Sequence, residues 1–155
     1  RSDEIMCCSV EEMSGDNSGI GAKLKQLKIG FIKHIKYVMM TYGKVDRIYV
    51  DSAEPTIIDF LQQAIIDIGY HIPVTASIKI PINDRIYMFG ILLMQDRIKF
   101  IRGETKEIIK GLQEATQDDE VLDADVWLDD GTSDIDILDA FNYGIEHWSK
   151  QLVRI

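Results

Sequence analysis

The chain has 155 residues, 46% hydrophobic, 28% charged and 8% aromatic, which is one ordinary globular domain and excludes a disordered or collagen-like chain. Twenty-six acids against 17 bases give a net charge of −9, which excludes a protein that coats nucleic acid by its overall positive charge. A chain of this length buries roughly 68–70% of its unfolded surface, so its fold needs no disulfide or metal staple. The two cysteines, Cys7 and Cys8, are adjacent, which fits neither a disulfide framework nor a zinc spacing. No apolar run approaches the ~18 residues of a membrane span, and the first residues carry no signal-peptide pattern. These features predict a soluble, intracellular chain.

Ile5 to Val10 is an apolar run of strand length, with Cys7 and Cys8 on opposite faces. Ser14 to Gly21 is glycine- and serine-rich and reads as a loop. It lacks the Gly-Lys-Ser/Thr spacing of a phosphate loop and the dinucleotide fingerprint. Leu24, Leu27, Phe31, Ile35 and Val38 then recur every three or four residues, predicting an amphipathic helix that ends near Gly43. Arg47 to Val50 is a β-branched and aromatic strand that runs into Asp51. Pro55 suits the first turn of the next helix, which carries Ile58, Leu61, Ile65 and Ile68 and stops at Gly69.

Val74 to Ile80 reads as a further strand, followed by a helix through Ile86, Phe89 and Leu93 and a short strand from Arg97 to Ile101. Another helix carries Ile108, Ile109, Leu112 and Ala115. An acidic connection leads to a last helix from about Ser133 to Leu152, with Ile135, Leu138, Ile145 and Trp148 on its buried face. Strands alternating with helices at this spacing predict an α/β domain with a largely parallel sheet.

Charge is segregated along the chain. Ala22 to Val45 holds six lysines and no acid, and Gln117 to Asp139 holds ten acids and no base. The lysines fit either a solvated helix face or a surface for phosphates, with Lys25, Lys28 and Lys33 as the candidate contacts.

Two carboxylates stand out by position. Asp51 ends a strand where open α/β sheets bind ligands, although a helix-capping role competes. Asp139 lies at the edge of an apolar stripe, where a carboxylate must be paired or bind a cation. Asp136 completes a capping-box-like pattern with Ser133, Asn142 lies one turn beyond Asp139, and Asp129, Asp130 and Asp134 fall in a loop. Converging carboxylates without a His/Cys cluster favour Mg²⁺ or Mn²⁺ and two-metal phosphodiester hydrolysis. His34, His71 and His147 read as surface or packing residues.

Tyr49-Val50-Asp51-Ser52-Ala53-Glu54-Pro55 resembles the strand-to-helix motif of the nuclease domain of phage terminase large subunits, the motors that cut concatemeric DNA and package it. Asp136-Ile137-Leu138-Asp139-Ala140-Phe141-Asn142-Tyr143 is similar to that family's last motif. Ser77-Ile78-Lys79, Asp84-Arg85-Ile86 and Arg97 to Phe100 follow its order of elements, and the resemblance covers Ile5 to Trp148.

The resemblance implies an RNase H-like (ribonuclease H/integrase-type) mixed sheet flanked by helices. It implies a Mg²⁺- or Mn²⁺-dependent endonuclease that acts on double-stranded DNA in the cytoplasm of a bacterial host during phage assembly. Asp51 takes the place of the second catalytic, metal-binding acid and Asp139 that of the last. Lys79 and Asp136 are auxiliary candidates, with Asp136 standing where the family often has His and Asn142 where it often has Arg. The family's first catalytic aspartate belongs to an earlier strand hairpin. Asp3, Glu4, Glu11 and Glu12 lack its setting, so residues 1–155 read as a single nuclease-like domain, incomplete at the N-terminus and without the ATPase motor. Implied partners are DNA, the ATPase domain, the small terminase subunit and the portal protein. Two other readings remain open: a catalytically silent module that docks on DNA, portal or motor through the lysine helix, and another RNase H-like nuclease such as a junction resolvase.

Overall fold

The structure is a computed structural model that describes residues 4–11, 13, 19–114 and 135–153. Along the chain run strand β1 (Ile5–Cys7), helix α1 (Ile20–Tyr42), β2 (Ile48–Val50), α2 (Pro55–Asp67), β3 (Val74–Ala76), α3 (Ile82–Met94), β4 (Ile98–Phe100), α4 (Lys106–Glu114) and α5 (Ile135–Ile145). A 3₁₀ turn (Glu146–Trp148) and a last helical turn, α6 (Ser149–Leu152), follow α5. The protein is α/β, as its alternating pattern predicts. Its strands form two two-stranded parallel sheets, β1 with β4 and β2 with β3, where the alternating pattern predicts one largely parallel sheet and the resemblance implies one mixed sheet.

The chain divides into two compact units. One is continuous, residues 11–76. The other is split in sequence, joining residues 1–10 to residues 77–155.

In the continuous unit, β2, α2 and β3 form a β–α–β segment with Ile48 opposite Val74 and Val50 opposite Ala76. Its core brings Phe31 and Ile35 of α1 against Leu61 and Ile65 of α2, with Ile72 and Val74. The expected stripes of α1 and α2 are therefore the packed ones. The Gln62 side chain ties helix to strand, donating to the Ile72 carbonyl at 3.3 Å and accepting the Val74 N–H at 2.9 Å. Gly43, with φ 105°, and Gly69, with φ 80°, end α1 and α2 where the sequence places stops. At the second stop Tyr70 N–H reaches back to the Ile65 carbonyl and Gly69 N–H to Ile66, the pattern of a Schellman cap.

In the split unit, β1 lies beside β4 with Ile5 opposite Ile98 and Cys7 opposite Phe100. Met88, Phe89 and Leu92 of α3 pack with Ile98 and Ile145, while Cys7, Ile108 and Leu138 form an adjoining cluster. Phe141 meets Phe89 edge-on, with ring centroids 5.5 Å apart.

Three expectations are corrected here. The strand expected through Ile80 stops at Ala76, because Lys79 adopts a left-handed backbone (φ 47°) that no strand accommodates. The buried row of α3 is Arg85, Met88, Phe89 and Leu92, so Leu93 is exposed; the sequence reading is out of phase because a charged residue heads the true row. Trp148, expected on the buried face, is 48% exposed at the end of the 3₁₀ turn that follows α5. The loop at 14–18, the acidic connection, Ala115 and the expected start at Ser133 lie outside the described residues. Among the described residues no helix is long and apolar enough to cross a membrane.

Two measurements check this account. A Cβ at Gly43 or at Gly90, inside α3, meets nothing within 4 Å, so backbone preference alone decides each substitution. In urea denaturation Gly43→Ala should destabilise by about 1–3 kcal/mol, and Gly90→Ala should stabilise by about 0.5–1 kcal/mol. Burial, with a smaller contribution from Cys8, pushes the Cys7 thiol from 9.0 up to about 11. Between those values the unfolded chain releases the proton and the folded chain keeps it, so stability should fall as pH rises from about 9 to about 11. The loss is on the order of 2–3 kcal/mol, and Cys7→Ala should remove this slope.

Candidate functional site

Each candidate carboxylate takes its position from its own unit. Asp51 follows β2 directly and is half-buried at the carboxyl end of that strand. Its Oδ1 accepts the Ala53 N–H at 2.8 Å, and Glu54 N–H bonds back to the Asp51 carbonyl at 3.1 Å, so a tight turn fixes the side chain before Pro55 opens α2. The capping alternative is partly realised: the carboxylate caps the turn, whereas the helix's own N-cap is Glu54.

Asp139 belongs to the other unit, on α5. Asp139, Asn142, Tyr143 and Glu146 recur at helical spacing and share one side of the last helix. Facing them is Arg85, buried in the inner row of α3. Its Nη1 donates to Asp139 Oδ1 at 3.2 Å, its Nε lies 3.3 Å from Glu146 Oε2, and Nε also donates to the Ile80 carbonyl at 3.0 Å. The guanidinium carbon stands 5.4 Å from the centroid of the Tyr143 ring, within cation–π range.

Glu146 has no exposed surface. Besides Arg85, its two oxygens accept the backbone N–H groups of Lys79 at 2.9 Å and Ile80 at 3.3 Å. Those N–H groups have left the strand pattern and find a carboxylate in its place. This also accounts for the left-handed Lys79, whose backbone cost of about 1–2 kcal/mol is offset by charge-assisted bonds. The Lys79 ammonium is exposed and reaches over the other side of the cluster, 5.8 Å from the Tyr143 centroid. Buried within the same unit, Asn142 Oδ1 and Ser77 Oγ have no hydrogen-bond partner among the described residues.

Of the residues singled out from the sequence, Lys79 and Asp139 are thus joined through Arg85, Glu146 and Tyr143. Asp136 is exposed in the first turn of α5. On α1, Lys25 and Lys33 are exposed, while Lys28 is tied to Asp67 of α2 at 2.8 Å. That bond, helped by Gln63, holds the Asp67 carboxyl below its usual range. Lys28 therefore serves as an inter-helix contact. Glu146 and Arg85 escaped the sequence reading as site residues. The available signal was the spacing of Asp139, Asn142 and Glu146, which marks a polar row beside an apolar stripe.

A Mg²⁺ or Mn²⁺ ion needs several oxygen donors converging on one point. Within its own unit Asp139 has Arg85 Nη1 3.2 Å from its Oδ1. Among the described residues no group of three or more His, Cys, Asp or Glu is placed to hold a metal ion. Comparison with protein-family models, curated proteins and solved structures gave no match to this chain.

Removing one member of a buried ion pair leaves the other charged and unsolvated. Glu146→Ala should destabilise the protein by about 3–5 kcal/mol in urea denaturation. A double-mutant cycle with Arg85→Ala should give a coupling of about 0.5–3 kcal/mol; additive losses would disprove the coupling.

Proposed function

We propose that this chain is the nuclease-type domain of a terminase large subunit, an RNase H-like module that cuts double-stranded DNA during genome packaging. The observation that carries the reading is Asp51, a turn-held carboxylate at the carboxyl end of a parallel strand, inside the Tyr49 to Pro55 motif. Ligands of open parallel α/β sheets bind outside the carboxyl ends of their strands, and the position of this acid supports the reading. The reaction class is Mg²⁺- or Mn²⁺-dependent phosphodiester hydrolysis, and the described side chains alone do not complete its ligand set. The partners that go with this reading are DNA, the ATPase domain, the small terminase subunit and the portal protein.

A second reading is favoured by the Arg85–Asp139 pair. If the last acid serves packing, the chain is a catalytically silent interaction module, and Asp139 holds α5 to α3 through Arg85.

Nicking of supercoiled plasmid by the 155-residue chain in Mn²⁺ separates the two. The nuclease reading expects cutting that Asp51→Asn reduces by more than about 10–100-fold, the loss typical of a supporting partner of a metal ligand. Asp59→Asn, at an exposed position on α2, should change it little. Cutting that survives Asp51→Asn overturns the assignment. Duplex binding without cutting, weakened by salt, selects the silent module. A preference for branched over linear duplex selects a resolvase-type nuclease.

A further inference from the structure

The outer face of α1 joins the lysines of the silent-module reading to apolar side chains that neither reading above uses. Lys25, Ile29, Lys33, Lys36, Tyr37 and Met40 fall within about a third of the helix circumference, opposite the side that Phe31 and Ile35 bury. All six are exposed; Ile29 retains 60% of its surface and Met40 88%. From Lys25 to Met40 the stripe runs about 24 Å, and no acid occurs anywhere between Ala22 and Val45.

We infer that this stripe is a docking surface for an acidic amphipathic helix of a partner protein. The argument is charge complementarity joined to the position of the apolar groups. Apolar and basic side chains alternate along the centre of the stripe. A duplex backbone would use the lysines but gain nothing from burying Ile29 and Met40. A lipid surface calls for an apolar centre flanked by lysines, and here lysines stand within the centre. A partner helix with carboxylates and apolar residues three or four apart meets both at once, giving ion pairs around a small apolar seam. Methionine suits such a seam because its flexible thioether adapts to the side chain it meets. Tyr37, in edge contact with the Tyr42 ring, adds a rigid aromatic at the rim. The inference rests on this face alone and stands whether or not the chain cuts DNA.

The test uses the 155-residue chain and a synthetic helical peptide of about 20 residues, with Glu and Leu alternating at three- and four-residue spacing, read by fluorescence anisotropy. Its Gln-for-Glu counterpart, a 20-base-pair duplex and anionic phosphatidylglycerol vesicles are the competing probes. Binding of the acidic peptide should weaken about 100-fold in the K25E/K33E/K36E variant and about tenfold in I29S/M40S. The Gln peptide should bind at least about tenfold more weakly than the Glu peptide. Circular dichroism and urea denaturation establish that each variant is folded, since all these positions are exposed. Tighter binding of duplex or vesicles than of the peptide, loss in the lysine variant with none in I29S/M40S, or no peptide binding each overturns the proposal.

Discussion

A carboxylate taken out of water must recover its lost hydration from the protein, and at Glu146 that recovery organises much of the split unit. Its oxygens take two backbone N–H groups from the Lys79–Ile80 segment and lie against the Arg85 guanidinium. Arg85, buried in turn, is satisfied by Glu146, Asp139 and the Ile80 carbonyl. The last helix, α3 and the connection before α3 are thereby held to one another by polar contacts of fixed direction. Apolar packing at Phe89, Leu92 and Ile145 supplies the larger share of burial without that directionality.

The same interaction explains local departures from regular structure. Beyond β3, the Lys79 and Ile80 N–H groups are committed to Glu146, and Lys79 turns left-handed there. The last helix tightens to a 3₁₀ turn at the residue that supplies the carboxylate. Trp148, two residues on, is exposed. Asn142 Oδ1 and Ser77 Oγ are buried in the same unit with no hydrogen-bond partner among the described residues.

The order of helices and strands was legible in the sequence because each is punctuated by residues with strong backbone preferences. Gly43, Pro55 and Gly69 mark their boundaries correctly, and Asp51 directly follows the strand that Arg47 to Val50 predicts. Periodicity failed where it relies on apolar residues alone. The inner row of α3 begins with an arginine, and a scale that counts hydrophobic side chains sets the phase by Ile86 instead. Glu146 was hidden for a related reason: a glutamate among polar neighbours reads as solvent-facing until its partners, more than sixty residues earlier in sequence, are brought beside it. Asp139 was flagged by its place on the stripe margin as a carboxylate that must be paired or bind a cation, and it is paired with Arg85. The cation found there is a guanidinium.

The divided sequence of the unit that holds Glu146 has a consequence for biosynthesis. Residues 11–76 find all the partners of their core among themselves, so that unit can close as soon as its own chain is made. β1 is different, since the strand that pairs with Ile5 begins at Ile98. At ordinary translation rates this leaves an apolar strand without its neighbour for roughly 5–20 s. Throughout that interval the nascent protein presents an open strand edge, and its shielding falls to the ribosome surface or a chaperone.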